Sequence, residues 1–223
     1  RFHAVADSAY GGQSVLAYRP ANCGLTSRLD LDARLYDTPP GRKAGTNGRP
    51  RKRGRRLPTP RQMLQQRGSR LTLNIYGRHD RSRVVDTVAR TYAVPDHPLR
   101  IVAVEPLSGG RKTQAFYSTR SEDAAREVLT RYARRWSIEE ANQNSKGCLG
   151  FEEPQGWSRR AVERTAPTAM LLYSLIVLWF AEEGHRYYRA PNRPWYQGKS
   201  RASFADMLAT LRSESVREMV LSL

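Results

Sequence analysis

The sequence predicts an α/β chain whose first half is rich in strands and whose second half is helical. Three observations carry this. Phe2 to Ala6 (FHAVA) is a short apolar run that ends at Asp7 and a pair of glycines, as a strand ends in a turn. Between Leu71 and Ser118 further short apolar runs are separated by Gly77, Pro95, Pro98 and Gly109-Gly110, the punctuation of an antiparallel meander. From Ser121 onward the apolar residues recur at helical spacing.

In chain order, a turn after Ala6 leads to a brief helix through Val15 to Tyr18. Leu29, Leu31 and Ala33 alternate with charged residues over Ser27 to Leu35, as in a half-buried strand. Arg42 to Arg61 then holds nine Lys or Arg and no acid, with several Gly and Pro. It has almost nothing apolar to bury, so it reads as a basic loop. Four strands follow: Leu71 to Tyr76, Arg83 to Tyr92, Leu99 to Val104 and Thr113 to Tyr117. Ser121, with Glu122 and Asp123 behind it, is the expected N-cap of a helix that runs to Trp136 and then bends near Ser137 or continues towards Lys146. Ala161 to Glu183 is apolar nearly all round from Met170 to Phe180, which predicts burial, with Pro167 kinking it or resetting its start. Ser203 to Leu211 and Glu214 to Leu223 are amphipathic and close the chain.

Charge is the outlier of the composition. In 223 residues, 38 Lys+Arg against 21 Asp+Glu give +17. Such a field favours polyanions. The two cysteines, Cys23 and Cys148, cannot build a disulfide framework, and no CxxC or Cys/His cluster suggests zinc. The longest apolar stretch, Ala169 to Ala181, falls short of the ~20 residues that span a bilayer, and the basic loop lacks an apolar face for a membrane surface. Neither a signal peptide nor an initiating Met opens the chain, so it reads as a cytoplasmic piece of something longer.

The informative stretch is Arg131 to Phe151, RYARRWSIEEANQNSKGCLGF. On a continuous helix with Tyr132 at 0°, Arg135 falls at about 300°, Glu139 at about 340° and Lys146 at about 320°. Glu140 lies about 80° from Tyr132, off that stripe. Basic groups suit phosphate oxygens, and a carboxylate between them suits a hard cation. On spacing alone the stripe reads equally as a solvated face with an Arg135–Glu139 i,i+4 pair. Asp7 alone reads as a turn or capping residue. Trp136, Trp157, Trp179 and Trp195 read as packing groups, and Cys148 has no nearby His to activate it.

Tyr132-x2-Arg135-x3-Glu139-x6-Lys146 resembles the YREK signature of the IS4-type DDE transposases. The context is similar as well: Arg135-Trp136-Ser137-Ile138-Glu139 resembles the RW-x-IE core, Lys146 to Gly150 the K-x-x-LG continuation, and Asp7-Ser-Ala-Tyr10-Gly11 the strand-end D-x-x-YG. Gly48 to Gly54 (GRPRKRG) resembles the basic loop of one branch. The resemblance implies an RNase H-like fold, here partial, with a β-rich insertion and C-terminal helices. Residues 1–36 would form its first part, 37–119 the loop and insertion, 120–185 the second part and 186–223 a helical tail.

The same resemblance makes Asp7 the second and Glu139 the third of three acids that hold Mg²⁺, which Mn²⁺ can replace. The first acid belongs on a strand upstream of Asp7, so the chain alone is expected to be inactive in cleavage. Tyr132, Arg135 and Lys146 would contact the DNA backbone near the cut end, joined by Arg51, Lys52, Arg53, Arg55 and Arg56 of the loop. The implied activity is Mg²⁺-dependent DNA strand cleavage and transfer in transposition. The partners would be transposon ends and target DNA, with a homodimer in the synaptic complex of a prokaryotic nucleoid. The residues without the resemblance leave a second reading, a basic nucleic-acid-binding protein or decayed remnant that binds without cutting.

Overall fold

The computed structural model describes residues 2–10, 12–41, 49, 51–75, 78–92, 94–109, 111–190, 199 and 201–221. It is a mixed α/β chain in two units, Arg1–Arg135 and Trp136–Leu223.

The first unit begins with β1 (Phe2–Ala6), the short apolar run after which Asp7 opens a 3-10 turn at Ser8–Tyr10. The helix α1 (Gln13–Tyr18) follows and leads into β2 (Cys23–Leu29). This connection lets β2 lie parallel to β1, in register from Phe2 opposite Cys23 to Ala6 opposite Ser27. The strand expected over Ser27 to Leu35 therefore starts earlier and stops at Leu29. Asp30 ends it: its carboxylate accepts from Asp32 N (2.9 Å) and its carbonyl from Ala33 N (3.2 Å), which closes a turn. Chain then returns in β3 (Leu35–Tyr36) and β4 (Arg56–Leu57), and α2 (Pro60–Met63) is capped by Thr59.

The meander is β5 (Ser69–Ile75), β6 (Arg78–Thr91), β7 (Leu99–Pro106) and β8 (Gln114–Ser118). The strand order is β1-β2-β8-β7-β6-β3-β4, with β5 also on β6. Every described pairing except β1/β2 is antiparallel. β6 begins five residues before the expected Arg83, because its polar start pairs residue for residue with β5. The expected turn at Gly77 lies outside the described residues.

Alternation divides the core between the two sheet faces. Leu25, Leu35, Met63, Ala89, Leu99, Ile101 and Tyr117 form one cluster. Leu73, Val84, Val102, Val104, Phe116, Val128 and Leu129 form the other, the last two contributed by α3 (Ala125–Ala133). This helix starts four residues after the expected Ser121 cap. Asp123 is drawn inward instead, where its carboxylate accepts from Ser118 Oγ and Arg131 Nη1, both at 2.6 Å. A 3-10 turn at Arg134–Trp136 follows α3.

In the second unit, α4 (Ser137–Leu149) ends at Gly150, whose φ of 65° is the left-handed conformation that glycine adopts without a Cβ clash. Ser158 caps α5 (Arg159–Glu182). Pro167 sits inside that helix without resetting its start. Only Ala169, Ile176 and Phe180 of α5 are buried, whereas Leu171, Leu172, Leu175 and Leu178 are exposed. The expectation of burial all round thus fails, because α5 buries one narrow stripe and turns a second apolar stripe outward. Among the described helices, α5 alone is long and apolar enough to cross a membrane by length and composition, a test that scattered Ser, Thr and Tyr do not fail.

The two expected terminal helices are one, α6 (Phe204–Leu221), whose Phe204 ring packs 4.8 Å from that of Tyr173 on α5. Trp157 is fully exposed and Trp136 is 44% exposed, so neither belongs to the buried core. Trp179 lies against Phe180, and Trp195 is outside the described residues.

Candidate functional site

Asp7 stands just past the carboxyl end of β1, at the end of a parallel strand pair, where open α/β sheets place their ligand sites. Local bonding fixes it there. Oδ1 accepts from Ala9 N (3.0 Å), the carbonyl accepts from Tyr10 N (3.2 Å), and Ser27 Oγ on the adjacent strand donates to that same carbonyl (2.7 Å). The carboxylate is exposed.

Tyr132, on the last turn of α3, is half-buried with its ring 4.5 Å from that of Phe116. Burial pushes its phenol above the ordinary value, and nearby Asp7 pushes in the same direction. Arg135, whose guanidinium donates to the phenol oxygen, and the neighbouring charge of Arg28 pull against that rise. Arg135 also lies over the Tyr132 ring, at 5.9 Å from its centre. The first unit thus brings together one carboxylate, one phenol and two guanidinium groups. Arg28 was missed in the sequence. No alternation within Cys23–Leu29 marks it, since Gly24 to Ser27 are all buried and Arg28 is the exposed residue that follows them.

Glu139 and Lys146 belong to the second unit and share one face of α4, being seven residues apart. Glu139 is half-buried in the first turn, where the helix dipole favours a carboxylate. Lys146 is ion-paired with Glu152. Glu140 lies close enough to Tyr173 of α5 to help raise its phenol, a rise caused chiefly by burial. One expectation needs correction: the wheel placing Tyr132, Arg135, Glu139 and Lys146 on one stripe assumed a continuous α-helix. The 3-10 turn at Arg134–Trp136 advances about 120° per residue in place of about 100°, so the angle does not carry from α3 into α4.

The described part of the basic loop is anchored at its base. Asp37 N donates to Arg55 O (2.9 Å), and Gly54 N to Asp37 O (3.3 Å). A Cβ on Gly54 would collide with the carbonyls of Asp37 and Thr38, so the close approach requires glycine. Arg51, Lys52, Arg55 and Arg56 are exposed. Arg53 differs. Its guanidinium lies 3.6 Å from the centre of the Tyr92 ring and 5.6 Å from that of Tyr36, and its Nε is buried. Its flat face lies on two tyrosines, a contact that holds the guanidinium in place.

Asp7 and Glu139 offer the oxygen donors that Mg²⁺ accepts. Among the described residues, no three His, Cys, Asp or Glu side chains come together as a metal-holding group. The donor chemistry fits this ion, but the two carboxylates fall short of the set that a pair of ions needs. No protein-family model matches the chain, and no curated protein matches it.

Proposed function

We propose that this chain is the C-terminal part of the catalytic domain of an IS4-type DDE transposase and that it binds duplex DNA through phosphate contacts. The observation that carries the reading is the placement of Asp7. It follows the end of β1, which is parallel to β2, and its charge reaches Tyr132, the phenol that Arg135 and Arg28 also flank, so the signature's first two residues and the expected second acid share one neighbourhood. An RNase H-like reading is supported by the parallel pair β1/β2 and by the sheet order, which has β1 at its end with one described partner. The other side of β1 would receive the strand that carries the first acid. The expected insertion prolongs the same sheet, since β8 pairs with β2.

The chain's own residues divide the work. Arg135 and Arg28 draw a phosphate towards the end of β1, Tyr132 fixes Arg135 by accepting from it, and the loop cations hold DNA further along. Asp7 and Glu139 would each supply a carboxylate oxygen to Mg²⁺. When bound by the complete set of acids, Mg²⁺ would activate the attacking hydroxyl and stabilise the leaving oxygen.

The test uses a longer protein that carries the strand of the first acid. Asp7→Asn and Glu139→Gln should each abolish Mg²⁺-dependent nicking of supercoiled plasmid, by about 10²-fold or more, while duplex binding survives. Glu140→Gln should retain most activity. Nicking that persists in both acid variants would overturn the catalytic reading and leave the non-cutting binder.

A further inference from the structure

We infer that the outward face of the β5/β6 hairpin is a second contact surface for the sugar–phosphate backbone of duplex DNA. This rests on the reading of the chain as a DNA-binding protein and adds a surface that neither the signature nor the basic loop includes.

The register makes the surface. Arg70 lies opposite Arg83, Thr72 opposite Arg81, and Asn74 opposite His79. Because side chains alternate across a strand, these six share one face. The intervening residues confirm the sidedness: Leu73, Asp80, Ser82 and Val84 are buried, while Arg70, Thr72, Asn74, His79 and Arg81 are exposed. The hairpin's one acid, Asp80, is therefore on the opposite face, where it accepts from Ser108 Oγ (2.5 Å) and pairs with Arg111 (3.4 Å). On the outward face Glu105 of β7 lies opposite Arg83 and is paired with it at 2.8 Å.

That pairing leaves Arg70 and Arg81 as diagonal neighbours with no acid on either hairpin strand beside them. Like charges directly opposite on a sheet are destabilising, and diagonal neighbours are within reach of long side chains such as these. A folded chain gains nothing from such an arrangement, whereas an anion across both guanidinium groups reverses the sign. Thr72 and Asn74 interleave hydroxyl and amide donors between the cations, the second group type that phosphate oxygens accept from.

Beyond Ser82, which pairs with Pro106, Leu107 N still donates to Arg81 O (2.8 Å), and past that bond the described hairpin narrows to the two strands β5 and β6. A ribbon of that width can follow a groove edge. Its inward side is occupied by α3, whose Arg126 donates to Thr72 O at 2.9 Å, so the cationic side is the one available. Charge complementarity selects a polyanion, and three guanidinium groups with one hydroxyl and one amide, against the single ring of His79, favour backbone contact over base stacking.

The experiment measures duplex binding by fluorescence anisotropy across a salt series, using the whole chain. Replacing Arg70 and Arg81 together (R70Q/R81Q) should flatten the slope of log K against log salt by about 1.8, from about 0.9 per phosphate contact. The pair R160Q/R212Q removes equal charge from exposed helical positions and should leave the slope unchanged. Thr72→Glu, which keeps both cations but adds an acid between them, should also weaken binding. An unchanged slope in R70Q/R81Q, or an equal change in the control pair, overturns the surface. If the parent chain shows no salt-dependent binding at all, the DNA-binding reading fails and takes this inference with it. Parent binding that depends on the loop but not on the hairpin overturns the hairpin alone.

Discussion

His3 shows how a single side chain couples the sheet to the helix beneath the proposed site. Its Nε2 lies 2.7 Å from the Thr26 hydroxyl and 3.3 Å from Arg131 Nη1, and Arg131 is in turn paired with Asp123. Burial first, then the charges of Arg131 and Arg120, push its pKa down to about 4, while Asp123 pulls weakly the other way. The unfolded chain, with an ordinary value near 6.5, then binds a proton that the folded chain refuses. Stability should therefore fall as pH drops from about 6.5 to about 4 and level off below that. Asp123 adds a trend of the same sign: burial would raise its carboxyl, but Arg131 and Ser118 hold it below the usual value. His3→Gln should flatten the first contribution, read as a smaller shift in urea midpoint between about pH 7 and pH 4.5. Equal shifts in parent and variant would remove His3 from the account. Arg53 makes a second residue-scale case. If it serves as a clamp on Tyr92, Arg53→Gln should leave the salt slope of DNA binding unchanged, while Arg51→Gln should flatten it by about 0.9.

Among the elements, α5 carries its apolar residues on two sides with different consequences. Ile176 is 6% exposed and packed, so Ile176→Ala should cost about 2–4 kcal/mol in a denaturant titration. Leu175, its neighbour in sequence, is 53% exposed, and Leu175→Ala should cost well under about 1 kcal/mol. Similar losses at both positions would mean that the outer stripe is covered in solution. The break between α3 and α4 matters at the same scale. It puts Tyr132 and Arg135 in one structural unit and Glu139 and Lys146 in the other, so the four-residue signature spans a junction. Trp136, at that junction, is 44% exposed although its residue type and helical context predict packing.

Over the whole molecule, a net charge of +17 is spread across features of different kinds. Some cations are paired with acids, as Arg131 is with buried Asp123 and Arg100 with Asp86 at the surface. Others stand exposed in the loop. Replacing Arg51, Lys52, Arg55 and Arg56 together with Gln should flatten the salt slope of duplex binding by about 3–4, at about 0.9 per contact. A slope that stays unchanged would reduce the loop to a solubilising insert.

The sequence by itself determined what depends on neighbours one to four residues away. Short apolar runs bounded by Gly and Pro located β1, β5, β7 and β8 to within two residues, because both the apolar character and the turn residues are local features. The basic character of the loop and the helical second half were legible for the same reason. The candidate site was legible as residue types and spacings, in Asp7 and the Tyr132 to Lys146 pattern. Only the tertiary structure decided which strand pairs with β1, since parallel pairing joins residues about twenty positions apart that no local pattern links. It also decided that Asp123 turns inward to Arg131 and delays α3, that Arg53 lays its guanidinium over Tyr92, and that α5 buries one stripe of its apolar surface. In each case a contact with a residue distant in sequence or on another element outweighs the local preference, and that contact exists once the sheet and helices have assembled.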